Sequence, residues 1–273
     1  MSRRALEPAR HHEHHGHVSV HDDQEKRLRA TIEWARKLRA TLGPLQGDHG
    51  DRVHFRPAST GVAMVGLLAD RPQRGKSGIT NLDHVAADFE TMFAKSCRDI
   101  DYGRVTGEKA LQSFLIREAY AHDRRMASIN TASSKSDDPV DLWFMTDEIA
   151  LPIEKGKTVC DILALRRDNG RSTPVLLELK DSRQLRRLVE QVNGYSQLMD
   201  EHAGLFAELY GALVGESLRF DGPTEKWIVW PAGGDGRDRK EDELAAHGIR
   251  VVGYTKGEVR YAFRIGRGVE SAL

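Results

Sequence analysis

The run Asp168-Asn169-Gly170-Arg171 constrains the fold of this chain more than any other stretch. Asn-Gly suits a two-residue hairpin turn because both central positions of that turn need positive φ. Strand-like apolar runs lie on either side, at 158–166 and 174–180. A two-residue turn also fixes register: residue 168 faces 171, and every opposed pair of numbers sums to 339. Asp161 then stands across from Glu178. Because strand side chains alternate, Lys180 shares the side of Glu178 and Asp161. Cys160, Ile162, Ala164, Val175, Leu177 and Leu179 fall on the opposite side. Leu163, Leu165 and Leu176 continue the apolar surface on the first side, so the charged trio ends a buried sheet.

Such a placement needs compensation. Two carboxylates ~5 Å apart repel by roughly 3 kcal/mol at an effective dielectric of about 20, and like charges opposed in a ladder destabilise it. Either one carboxyl keeps its proton or a cation sits between the two. Oxygen ligands of this kind favour Mg²⁺, with Mn²⁺ as a substitute. An acid-x-Lys triplet alone means little, since 41 acidic residues in 273 positions yield about two by chance, and the chain has two. The other, Asp238/Lys240, lies in the Gly- and charge-rich stretch 233–241, read as a loop; Glu178/Lys180 ends an apolar run and faces an acid.

Composition bounds the class of protein. Lys plus Arg equals Asp plus Glu at 41 each, so any anionic partner must be held by a local patch rather than a global field. Two cysteines, Cys97 and Cys160, exclude a disulfide scaffold and suit a reducing, cytoplasmic setting. No apolar run approaches the ~20 residues of a membrane span, and no membrane partner is expected. No Gly-x-Ser-x-Gly elbow occurs.

The chain divides into a disordered His-rich tail (1–20), an amino-terminal accessory region (21–104) and a larger domain (105–273). His11, His12, His14, His15 and His17 read as a solvated tract rather than a metal site. A helix spans 22–42, opened by an Asp22/Glu25 capping box and stopped by Gly43-Pro44. The run 62–68 is one strand of a hairpin, and 83–98 is a second helix. Gly75-Lys76-Ser77 ends like a phosphate loop, but Asp70 stands where that loop needs glycine, leaving a flexible basic loop. A third helix covers 106–121 with Thr106 as N-cap, and 132–138 is a loop. Strands follow at 148–153, 158–166 and 174–180, then a helix at 183–203 capped by Asp181 and Gln184, then strands near 226–230, 250–254 and 259–265. On that last helix Arg183, Arg187, Gln191 and Tyr195 form an i, i+4 stripe beginning beside Lys180, suited to contact with a phosphate backbone. Trp227 and Trp230 flank the fourth core strand and read as packing residues.

These residues resemble the PD-(D/E)XK nuclease superfamily, whose pattern is an acid on the second core strand and acid-x-Lys on the third. Asp161 and Glu178-Leu179-Lys180 match it, Gln191-x-x-x-Tyr195 looks like the Gln-x-x-x-Tyr motif of the exonuclease-type branch, and Glu108 is similar to the carboxylate of the first core helix. Cys160 stands where the name-giving proline would be, a position that commonly varies. The resemblance covers about 105–232. It implies an α/β, restriction-endonuclease-like core: a helix, a three-stranded antiparallel meander, a helix and a strand, in a mixed sheet flanked by helices, after a helical amino-terminal region. It also implies Mg²⁺-dependent hydrolysis of phosphodiester bonds in nucleic acid, DNA favoured. Asp161, Glu178 and the carbonyl of Leu179 would ligate the metal, Lys180 would orient the attacking water, and Glu108 would assist, with Glu118 as fallback. Gln191 and Tyr195 would hold the substrate phosphate or lock the helix, and Arg183, Arg186 and Arg187 would supply the positive patch. A homodimer would suit cutting of both strands. The rivals are a catalytically silent nucleic-acid-binding domain of the same fold, and an interaction protein in which Glu178 and Lys180 form a surface ion pair.

Overall fold

The computed structural model describes residues 19–68, 71–72, 76–96, 107–134, 139–185, 187–233, 238–257 and 261–265. The His-rich tract, Cys97, Thr106 and Arg186 lie outside the described residues. The chain opens with helix α1 (Val20–His49), whose first turn is capped by Ser19 accepting from the Asp22 amide, so the Asp22/Glu25 box is not what starts it. Nor does Gly43-Pro44 stop it: Pro44 lies inside the helix. An interior proline costs a helix ~3 kcal/mol. Tertiary contacts beyond it offset that cost. Leu38 and Leu42 are buried, and the Gln46 amide donates to Val53 O at 2.8 Å and accepts from Phe55 N at 2.8 Å.

Strands β1 (Val53–Ala58), β2 (Gly61–Leu68), β3 (Arg71–Pro72) and β4 (Lys76–Ile79) form a small antiparallel sheet, with the expected hairpin at β1–β2. Lys76 and Ser77 belong to β4, with Lys76 opposite Met64, rather than to a loop. The expected helix over 83–98 is two short ones, α2 (Leu82–Ala87) and α3 (Phe89–Ser96). The carboxyl half of α1, this sheet, α2 and α3 share one apolar cluster around Phe55, Met64 and Phe89.

The larger part follows as α4 (Gly107–Ala121), α5 (Ala127–Ser133), β5 (Asp141–Asp147), β6 (Ala150–Ile153), β7 (Gly156–Val159), β8 (Ile162–Asp168) and β9 (Arg171–Leu179). Then come α6 (Leu188–Glu201), α7 (Ala203–Val214), β10 (Glu225–Pro231), α8 (Arg239–Ala246), β11 (Ile249–Lys256) and β12 (Tyr261–Ile265). Among the described residues a six-stranded mixed sheet runs β12-β11-β10-β9-β8-β5. Strands β5, β8 and β9 are antiparallel neighbours, and β9, β10 and β11 are parallel. The result is an α/β architecture: a helical amino-terminal region and a mixed sheet flanked by helices.

The first strand of the meander is β5, not 148–153. Glu148 breaks the chain with φ 45°, and 150–153 pairs with β7 in a separate hairpin. A bulge between Phe144 and Thr146 interrupts the alternation of β5, which is why period two does not announce it. The run 158–166 is likewise broken at Cys160-Asp161, between β7 and β8. Freed from the ladder, Cys160 packs with Leu163 and Leu176 rather than on the opposite face.

The 168–171 turn forms as its residues require, with φ 47° at Asn169 and 81° at Gly170. Pairs run from Asp168–Arg171 to Ile162–Leu177 without slip. Ile162, Ala164, Val175, Leu177 and Leu179 face α4 and α5, while Leu163, Leu165 and Leu176 face α1, α6, α7 and α8. Trp227 and Trp230 are fully buried, one on each side. Gly170→Ala places a side chain at positive φ and should cost about 1 kcal/mol. Thermal unfolding should show Tm lower by about 2–4 °C; an unchanged Tm would mean that the turn relaxes freely. No helix among the described residues is long and apolar enough to cross a membrane.

Candidate active site

Turn chemistry and strand period bring Asp161 and Glu178 to the same end of the β8–β9 hairpin. β8 begins at Ile162, so the next β9 amide facing it has no ladder partner on that side; Leu179 N donates instead to Asp161 Oδ2 at 2.9 Å. The Asp161 carbonyl accepts from Gln112 Nε2 at 3.1 Å and from Glu148 N at 3.4 Å. Glu178 points with Leu176 toward α6 and is only 3% exposed. Its Oε1 accepts from Lys180 Nζ at 2.7 Å and Gln191 Nε2 at 2.7 Å. Burial, and then the nearby Asp161 charge, push the Glu178 carboxyl up to about 7 even though Lys180 pulls the other way. This is a buried ion pair, not a surface one.

The Lys180 ammonium also donates to Leu179 O at 2.9 Å and lies 3.8 Å from Glu108 Oε1. Glu108 stands in the first turn of α4, which approaches the end of β9 closely. A Cβ at Gly107 would meet Asp181 Cβ at 2.9 Å. Burial raises the Glu108 carboxyl, opposed by Lys180. The fallback Glu118 is elsewhere: it holds the start of α5 by accepting from Ser128 N at 3.1 Å.

The nucleic-acid contacts expected from the following helix are largely redirected. The helix begins at Leu188, not 183, with Arg187 at φ 62° before it and no side-chain cap from Asp181 or Gln184. Arg183 therefore lies off the helix and the i, i+4 stripe is broken. Its guanidinium stacks 4.4 Å from the Trp230 ring, donates to Pro231 O at 3.0 Å and Glu241 at 3.1 Å, and pairs with Asp238. The second acid-x-Lys triplet closes this latch: Asp238 caps α8 and Lys240 Nζ donates to Arg183 O at 2.6 Å. Tyr195 is 1% exposed and donates to Ile149 O at 2.8 Å, so it locks α6 to the sheet and does not face a substrate. Gln191 reaches the site and Arg187 is exposed.

Three functional neighbours are not legible in the sequence. Lys109 lies 3.7 Å from Asp161 Oδ1, pairs with Glu148, and donates to Gln112 Oε1 at 2.7 Å. Gln112 donates through Nε2 to Asp147 Oδ2 at 2.9 Å. Asp147, at the end of β5, also binds Arg56 at 3.0 Å and His54 Nε2 at 2.9 Å, both from β1. The small sheet is thereby bonded to the residues behind Asp161. Their sequence signal is slight: Lys109 adjoins Glu108, and Asp147-Glu148 ends an apolar run. If all ionise, six acids (Glu108, Asp147, Glu148, Asp161, Glu178 and Asp181) outnumber the four cations Arg56, His54, Lys109 and Lys180. On that count the neighbourhood is net negative. Compared with models of known protein families and with curated proteins, the chain matches none.

Proposed function

We propose that the chain is a divalent-metal-dependent nuclease with a restriction-endonuclease-like core, acting on nucleic acid with DNA favoured. The observation that carries this reading is the buried Glu178, held beside Asp161 and bonded to Lys180 at 2.7 Å, at the end of a buried hairpin. Burying like charges together is unfavourable unless something else uses them. The donors fit a hard cation: Asp161 and Glu178 carboxylates and the Leu179 carbonyl would hold Mg²⁺ or Mn²⁺. Glu108 is turned to Lys180 at 3.8 Å and would assist from there. When bound, such an ion supplies an acidified water and neutralises charge growing on the phosphate.

The chain's own residues do the rest. Gln191 fixes the rotamer of Glu178 through its 2.7 Å bond. Lys109 and Gln112 hold Asp161 from behind, at the carboxylate and the carbonyl respectively. Lys180 keeps a positive charge with donor hydrogens between Glu178 and Glu108, where it would orient the nucleophilic water and stabilise the developing oxyanion. Arg187 remains a candidate backbone contact; Tyr195 and Arg183 are positioning residues. Cleavage of both strands of a duplex would call for two sites, hence a homodimer.

The test is incubation with labelled single- and double-stranded DNA and RNA in Mg²⁺, Mn²⁺ or chelator, beside Asp161→Asn. Cleavage with the divalent ions, absent in chelator and in the variant, is the expected result. Retention of nucleic acid without cleavage would select the silent binding domain, and neither activity on any substrate would sink the proposal.

A further inference from the structure

Away from that site, the start of α1 and the joint between α6 and α7 bring together His21, Glu25 and His202, with one ligand atom of each within 4.8 Å of the others. His21 and Glu25 are one turn apart and so share a face of α1. His21 Nδ1 lies 4.0 Å from Glu25 Oε1. His202 arrives from far along the chain. It closes α6 and opens α7, is 4% exposed, and its ring centroid is 4.6 Å from that of His21.

Neighbouring bonds decide which nitrogen of His202 is free to bind. Gln24 Nε2 donates to Pro152 O at 2.8 Å. A carbonyl only accepts, so the other end of that amide, Gln24 Oε1, is the atom 3.0 Å from His202 Nε2. An amide oxygen also only accepts, so Nε2 carries the hydrogen and Nδ1 holds the lone pair. Metal-binding imidazoles are oriented in this way, by donating from the far nitrogen to a fixed acceptor. The partial positive charge at the start of α1 opposes a cation, but Asp22 and Asp23 in that first turn offset it.

We infer that His21, Glu25 and His202 form a binding site for a divalent transition metal of the Zn²⁺ class, tying the start of α1 to the α6–α7 joint. Two imidazoles and a carboxylate suit Zn²⁺ and disfavour Mg²⁺, and water would complete a tetrahedron. The site shares no ligand with Asp161 or Glu178 and stands whether or not the nuclease reading does.

Thermal unfolding of the full chain in excess Zn²⁺, in Mg²⁺ and in chelator tests it. Zn²⁺ binding to the folded state should raise Tm by about 5 °C over chelator. His21→Ala and Glu25→Gln are changes at the surface that leave the chelator Tm nearly unaltered, and each should remove most of the gain. The tract His11 to His17 also offers imidazoles, but it is common to all three proteins, so their difference isolates the site. No Zn²⁺ gain in the unaltered protein, or an equal gain in both variants, overturns the inference.

Discussion

Lys180→Ala is expected to lower divalent-dependent phosphodiester cleavage by about a thousandfold, the scale of removing a preorganised charged donor from a transition state. The ammonium is bonded at 2.7 Å to Glu178 and 2.9 Å to Leu179 O, so no other described donor stands in its place between those two groups. Its loss leaves Glu178 beside Asp161 with one positive charge fewer. The cluster then becomes more negative and should hold Mg²⁺ no less tightly than before. The expected signature is therefore a split: the Tm gain given by Mg²⁺ persists while cleavage disappears. Cleavage within about threefold of the unaltered protein would remove Lys180 from the reaction, and loss of the Mg²⁺ gain would make it a structural residue.

Asp147→Asn should be the most destabilising single change near the site, by about 3 kcal/mol, or a fall in Tm on the order of 10 °C. Asp147 is 2% exposed and receives Arg56, His54 and Gln112. Burial pushes its carboxyl up, but Arg56 and His54 outweigh burial and bring it down to about 2. A carboxyl depressed in the folded state contributes stability above its unfolded value of about 4, and that stability is lost as pH falls toward about 2. The unaltered protein should thus lose on the order of 2 kcal/mol between about pH 4 and pH 2 through this group, and the variant should not. Equal acid sensitivity in the two proteins, followed by circular dichroism, would show that other carboxylates govern acid unfolding.

Asp147 also marks where sequence reading stops. Its partners His54 and Arg56 lie 93 and 91 residues away, and Gln112 lies 35 away. No local periodicity carries such pairings. Glu178 shows the opposite case: its side of the strand and its neighbour Lys180 follow from an Asn-Gly turn ten residues or fewer away, because turn dihedrals and strand alternation act over short distances, whereas Asp161 lies beyond the last ladder pair, Ile162–Leu177, and is held to β9 by Leu179 N. The helix at 183 failed because its arginine had a better partner elsewhere. Arg183 is drawn to Trp230, Asp238 and Glu241, and the helix starts only at Leu188. Pro44 tells the same story in reverse, since β1 and Leu42 sustain a helix that local rules would end. Tyr195, which the motif placed either against a substrate or as a lock on the helix, spends its hydroxyl on Ile149 O.

By itself, then, the amino-acid sequence determined the hairpin and its register, since each rests on backbone geometry within one turn and two strands. Only the tertiary structure decided how deeply Glu178 is buried, that Lys109, Gln112 and Asp147 stand behind Asp161, and which arginine remains exposed. Burial and side-chain partnership are set by whichever distant segments pack against a residue, and competition among those segments is a property of the folded whole.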